Sequence, residues 1–134
     1  AGRFRGSPSA YCEFGPIEDC TMKVLYTSDG SINPAKGARG GHEGGVAKTF
    51  KRELDGTLTE LPNCYGLELQ FGEKVVSYSA GGGGYGKPME RDINRVHSDY
   101  KEGWISRDRA KKVYGVVIGE DDQINLEKTQ HIRS

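Results

Sequence analysis

The chain has 134 residues, of which 34% are hydrophobic and 20 are glycine, and its 19 basic and 19 acidic residues leave no formal net charge. A neutral chain exerts no general attraction on nucleic acid or on anionic membranes, and no apolar run approaches the ~20 residues that span a bilayer. With no leader-like apolar stretch near Ala1, the expectation is a soluble, cytoplasmic protein.

This length predicts one domain, residues 1–134, with a modest core. Glycine loses the most backbone entropy on folding, so the domain is costly to order for the apolar area it offers. Such a composition fits a piece stabilised by a partner. The opening, Ala1–Pro8, is irregular. Ala10–Phe14 and Thr21–Thr27 are predicted strands separated by Gly15-Pro16, with Met22, Val24 and Tyr26 alternating with Lys23 and Leu25. Ser28–Gly45 is rich in turn residues, and a loop that long inside a domain implies function or docking. Glycine-rich segments of this kind can lie extended, in a polyproline-II-like form, where missing side chains let backbones approach.

Val46–Leu54 is the next predicted strand, closed by the turn Asp55-Gly56. Leu67–Phe71 alternates, Gly72-Glu73 turns, and Lys74–Ser79 returns with Val76 and Tyr78 on one face, which predicts a hairpin. A glycine run, Gly81, Gly82, Gly83, Gly84, Tyr85 and Gly86, starts at that strand's end. Asp92 is a predicted helix N-cap, with Ile93, Val96 and Tyr100 on one stripe and Gly103 as the stop. Ser106 caps a second short helix whose inward face is Ala110 and Val113 and whose end is Gly115. Val116–Ile118 is predicted as a short buried strand, and the rest from Gly119 as a polar tail.

The glycine run formally spells two nucleotide motifs, GxGxxG and GxxxxGK. A dinucleotide fingerprint needs its last glycine to open a helix, and Pro88 postpones any helix to about Asp92. A phosphate-binding P-loop needs Ser or Thr after its lysine, where this chain has Pro88, with neither hydroxyl nor N–H. The run is therefore predicted to serve steric needs: positive φ and close backbone contact, as a candidate subunit-contact loop over Gly81–Gly86.

Catalytic constellations are thin. His97 lies in a predicted helix, His131 in the tail, and His42 in a glycine-rich loop with room for a ligand. Glu90-Arg91-Asp92 is explained by a cap and a local ion pair, and Arg107, Arg109, Lys111 and Lys112 by a solvated basic helix turn. Cys12, Cys20 and Cys64 leave three readings open: reduced thiols, an interchain disulfide, or a zinc site converging with His42.

Residues 80–118 run Ala-Gly-Gly-Gly-Gly-Tyr-Gly-Lys-Pro-Met-Glu-Arg, then a helix, a Ser turn and a closing Tyr-Gly-Val-Val. This block resembles the C-terminal signature of the B-type subunits of ATP-dependent hydantoinases, oxoprolinases and ketone carboxylases, and Ala1–Pro8 resembles that family's internal glycine-arginine segment. The resemblance departs at Lys87, Met89 and Cys64, where relatives carry Asp, Leu and often Lys. That makes Cys64 a candidate for a special role, beside Cys20 and Cys12 as candidates for an interchain disulfide. It implies a mainly β fold: barrel-like strands, polyproline-II-like glycine loops and two short C-terminal helices, completing the fold of a larger partner subunit. It implies no catalytic, cofactor or metal residue in this chain, with ATP and a divalent metal (Mg or Mn) on A-type partner subunits. One branch, the acetophenone carboxylases, has a separate small subunit of this size. The implied role is then structural, sealing a passage for labile phosphorylated intermediates in carboxylation of a ketone with bicarbonate and ATP. The alternative is the equivalent piece of a hydantoinase, oxoprolinase or lactamase.

Overall fold

Strands form where β-branched and aromatic residues gather between glycine and proline breaks, and helices where capped stripes follow Asp92 and Ser106. A computed structural model describes all 134 residues, divided between two compact units. The strand unit comprises Ser9–Ala35 and Gly44–Gly82, and the helical unit Ala1–Pro8, Lys36–Glu43 and Gly83–Ser134. The fold is mainly β, with six strands in two sheets and three α-helices.

In the strand unit, β1 (Tyr11–Phe14), β6 (Lys74–Tyr78), β3 (Lys48–Arg52) and β4 (Leu58–Glu60) form one antiparallel sheet in that order. A separate antiparallel ribbon pairs β2 (Met22–Thr27) with β5 (Cys64–Leu69). The two sheets do not close into the expected barrel: β1 and β4 remain edges, at four and three residues. Closure needs every strand paired on both sides.

The expected hairpin between residues 67–71 and 74–79 does not form either. β5 pairs with β2, whereas β6 pairs with β1 and β3, Val76 facing both Glu13 and Phe50. The reason lies in burial. Val75 and Val76 are each 1% exposed, so β6 is covered on both faces and occupies the middle of a sheet. β5 alternates and buries one face, through Leu69. The link folds on itself instead: buried Glu73 accepts from the Gln70 N–H (2.8 Å) and from Lys51 Nζ (2.7 Å). These contacts hold its carboxyl below the usual range, the backbone bond first.

The β3–β4 turn matches the sequence reading, with Gly56 at φ 87° and Asp55 accepting from the Thr57 N–H at 2.9 Å. On one face of the larger sheet Glu13 takes a hydrogen bond from Tyr11 and ion pairs from Arg52 (2.8 Å) and Lys74 (2.9 Å). Those donors, Tyr11 foremost and then Lys74, lower its pKa from 4.5 to about 2.

In the helical unit a single 3-10 turn (Pro88–Glu90) precedes α1 (Ile93–Lys101), α2 (Arg107–Tyr114) and α3 (Leu126–Arg133). The caps are as predicted: Asp92 accepts from Arg95 N–H at 3.0 Å and Ser106 from Arg109 N–H at 3.1 Å. Gly103 (φ 79°) and Gly115 (φ 64°) stop α1 and α2. Val96, Ala110, Tyr114, Val116 and Ile118 form the core, with Ile93, Tyr100 and Val113 against it.

Two expectations fail here. Val116 and Ile118 are buried, but residues 116–118 form no strand, only an isolated bridge from Ile118 to Ile124. The polar tail contains a third helix rather than stopping the helix count at two. α3 is capped by Asn125 (2.9 Å to Lys128 N–H) and held by polar contacts. Arg133 donates twice to the Tyr114 carbonyl (2.9 and 2.7 Å), and Thr129 Oγ1 accepts from Val117 N–H at 3.0 Å. A helix docked by hydrogen bonds leaves little apolar periodicity to find. No helix of the chain is long and apolar enough to cross a membrane.

Candidate functional site

The glycine run is the natural starting point, because its residues are explained by what lies against them. In the helical unit, residues 83–86 thread between residues 1–4 and 36–42. Tyr85 and Phe4 exchange backbone bonds (Tyr85 N to Phe4 O, 2.9 Å; Phe4 N to Tyr85 O, 3.0 Å). On the other side Ala38 N–H donates to Gly84 O and Gly84 N–H to His42 O, each at 2.9 Å. Added Cβ atoms would strike backbone: at Gly84 1.8 Å from Ala1 O, at Gly83 2.2 Å from Lys36 O, at Gly41 2.1 Å from Gly84 O. In the strand unit, Gly81 N–H donates to Gly45 O at 2.9 Å, and a Cβ at Gly44 would lie 2.0 Å from Gly81 O. Glycine is required because three backbones meet with no room for side chains.

This geometry is unsuited to phosphate. The N–H groups of Gly81, Gly84, Tyr85 and Gly86 all donate to carbonyls of this chain. α1 begins at Ile93, well beyond the run, and Pro88 opens only a three-residue turn. No helix N-terminus faces the run, as a nucleotide loop would require.

What the run presents outward is Tyr85, 45% exposed. Arg39 lies over its ring, Cζ 5.6 Å from the centroid, and Phe4, 50% exposed, lies 6.4 Å away at 47°. Arg3 in turn lies 5.7 Å from the Phe4 ring. The result is an exposed ladder, Arg3–Phe4–Tyr85–Arg39, of the residue types that anchor protein interfaces. Arg3 and Phe4 also line a polar groove of about 420 Å³ with Glu90, Asp92 and Arg95. Sequence reasoning singled out the glycines and missed the ladder, whose four members come from three separate segments.

Glu90-Arg91-Asp92 divides as expected: Asp92 caps α1, and Arg91 forms an ion pair. The partner is Asp99 on α1, at 2.9 Å, with both side chains almost fully buried. Arg5 binds the other Asp99 oxygen at 3.1 Å and lies 5.9 Å from the Trp104 ring. Arg91 also donates to Arg3 O at 3.3 Å, which ties the opening segment to α1. Neighbouring Tyr114 has its pKa raised, chiefly by burial.

The histidines do not converge. His97 Nε2 sits 2.6 Å from the Asp122 carbonyl, and its ring stacks on Tyr100. Tyr100 and Arg107 donate to Asp122 Oδ1 at 2.5 and 2.7 Å, holding its carboxyl below the usual range, Tyr100 foremost. His42 contributes its backbone to the glycine mesh, its side chain exposed, and His131 is exposed on α3. Of the basic turn on α2, Lys112 pairs with Asp108 at 3.0 Å in solvent. Cys12 on β1, Cys20 before β2 and Cys64 on β5 are free and exposed, and Cys20 Sγ donates to Ile17 O at 2.8 Å. No group of three or more His, Cys, Asp or Glu side chains is placed to hold a metal ion.

Comparison with known proteins matches residues 1–88 to the family model described as Hydantoinase B/oxoprolinase. The beta chain of the caprolactamase of Pseudomonas jessenii is 33% identical over 100% of this chain and 24% of its own length. The B-type chain of a putative D-/L-hydantoinase of Pseudomonas sp. (strain NS671) is 32% identical over 98% of this chain and 22% of its own. The crystal structure of the ATP-dependent caprolactamase from Pseudomonas jessenii superposes with a TM-score of 0.75 at 28% identity, over 99% of this chain and 24% of that one. An acetone carboxylase solved without nucleotide shares the fold, with a TM-score of 0.63 at 21% identity over 98% of this chain and 22% of that one. The chain thus spans about a quarter of the length of the curated relatives it matches.

Proposed function

The chain belongs to the hydantoinase B/oxoprolinase family, and from that premise we propose that it is a structural, non-catalytic small subunit of an ATP-dependent enzyme complex, completing the fold of a larger B-type chain. The observation that carries this reading is an imbalance of apolar surface: nine hydrophobic residues are buried while seventeen large ones are exposed. Single exposed apolar residues are ordinary. An exposed aromatic ladder together with open sheet edges is the surface of a piece meant to be covered. ATP and its divalent metal, Mg or Mn, belong in this reading to A-type subunits, and the small subunit helps close water out from labile phosphorylated intermediates.

For the reaction, we favour ATP-dependent opening of a cyclic amide, because the named relatives above 30% identity are chains of a caprolactamase and a hydantoinase. The second reading is carboxylation of a ketone, acetophenone with bicarbonate, supported by the resemblance of residues 80–118 to that branch. The exposed thiols of Cys12, Cys20 and Cys64 leave a covalent tie to the large chain open.

The test is purification from the native source without reductant, followed by native mass spectrometry. Elution with A- and B-type chains supports the reading, and a folded monomer with its own ligand refutes it. A reductant-dependent gel shift of the complex identifies the interchain disulfide. ATP turnover by the complex then separates the reactions: stimulation by a lactam or hydantoin without bicarbonate supports cyclic-amide opening, and an absolute bicarbonate requirement supports carboxylation.

A further inference from the structure

We propose that the outward face of the β2–β5 ribbon is a socket that receives a large apolar side chain from the remainder of a B-type chain, seated over Gly66 beside Leu25; this rests on the function proposed above. Leu25 is 86% exposed although it lies in the middle of a paired strand, and its cross-strand partner is Gly66. Together with their neighbours they line an open groove of about 330 Å³.

Gly66 is the sole glycine in any strand of the fold. The glycines of the mesh are demanded by backbone within 1.8–2.2 Å of an added Cβ at Gly37, Gly41, Gly44, Gly83 and Gly84. Those of the turns, such as Gly56 and Gly72, are demanded by positive φ. Gly66 has neither reason: its φ is not positive, and an added Cβ would meet Leu25 Cδ1 at 3.4 Å and Val24 O at 4.0 Å, both ordinary contacts. A strand glycine weakens the ribbon and marks a place where another group approaches closely. Within this chain only Leu25 and Val24 come near, at ordinary contact distance, and no group approaches closely enough to require a glycine.

The rim indicates the chemistry of the occupant. Lys23 and Glu68 face each other in register at one end, and Thr27 and Cys64 at the other. The opposite charges offset one another, so the socket between them has no net charge and suits an apolar side chain rather than an ion. The source follows from the relatives, which carry this fold as 22–24% of a longer chain. In them the other three quarters of the polypeptide is covalently joined to this fold and is therefore the nearest source of an apolar side chain.

The experiment uses the full chain and, as a separate polypeptide, the remaining B-type chain from the same source, with affinity read by calorimetry. Gly66→Val fills the socket with a residue strands favour, and Leu25→Lys puts a charge in it. Leu54→Lys, at a residue 72% exposed outside any strand, is the control. Wild type and Leu54→Lys are expected to bind alike, and Gly66→Val and Leu25→Lys at least tenfold more weakly, while free Gly66→Val melts no lower than wild type. Should Gly66→Val not fold, Gly66→Ala is expected to show the same loss at about threefold. Wild-type affinity in both socket variants, or an equal loss in Leu54→Lys, overturns the socket while leaving the proposed function standing. Absence of binding by the wild type overturns both.

Discussion

Gly41→Ala tests the glycine mesh directly. An added methyl at Gly41 would sit 2.1 Å from the Gly84 oxygen and 2.3 Å from its carbon, against 3.4 Å for ordinary contact, so that carbonyl must retreat by about 1.3 Å. A retreat of that size breaks two bonds, Ala38 N–H to Gly84 O and Gly84 N–H to His42 O, both now 2.9 Å. Each is worth about 1 kcal/mol net, and forced overpacking adds about 1–3 kcal/mol. Alanine recovers about 0.4–1 kcal/mol by restricting the unfolded chain. The steric cost wins, leaving a net loss of about 2–5 kcal/mol. Trp104, the one tryptophan, lies in the same unit, so urea denaturation followed by its fluorescence reads the loss. The comparison is Gly56→Ala, at φ 87° with nothing within 4 Å of an added Cβ. Backbone conformation alone makes it cost about 1 kcal/mol, read by far-UV circular dichroism. A Gly41→Ala loss no larger than that of Gly56→Ala would refute the claim that close backbone contact sets these residues.

Three further outcomes follow from other contacts. Asp99→Ala leaves Arg91 buried without its carboxylate and is expected to cost about 3–5 kcal/mol in denaturant titration, whereas Arg91→Met with Asp99→Leu restores most of the loss. Glu13, with its pKa lowered from 4.5 to about 2, stabilises the fold fully above pH 4.5, and this contribution is lost as pH falls toward 2. Glu13→Gln should therefore flatten that acid limb, and a carboxyl NMR titration midpoint near 4.5 would contradict the assignment. Asp92→Ala removes the α1 cap and is expected to lower stability by about 1 kcal/mol, with faster amide exchange at Arg95.

Local chemistry was readable from the sequence wherever one residue decides it. Asp92 and Ser106 as caps, Gly103 and Gly115 as stops, and Asp55-Gly56 as a turn all stand as read. The resemblance to the hydantoinase B/oxoprolinase family likewise led to the correct family. Pairing was harder. Residues 67–79 look like a hairpin because each half alternates and a Gly-Glu turn joins them. Only the adjacent buried pair Val75-Val76 hints that β6 is covered on both faces. α3 escaped because Thr129 and Arg133 hold it by hydrogen bonds. The Arg3–Phe4–Tyr85–Arg39 ladder escaped because its members are far apart in sequence and meet only when the glycines bring their backbones together.

That meeting of distant segments also sets the order in which the helical unit folds. Joining residues 1–4 to 84–86 by way of residues 38–42 closes loops of about 40 residues each, and the entropy of closure precedes any hydrogen bond gained. α1 and α2 pack on each other across a short turn, closing a far smaller loop, so they belong to the early nucleus and the mesh to the late steps. Contacts made after the transition state govern how fast a protein comes apart rather than how fast it forms. In stopped-flow measurements Gly41→Ala is accordingly expected to speed unfolding and leave the refolding rate nearly unchanged. The glycines act, in kinetic terms, as the latch that closes last and opens first.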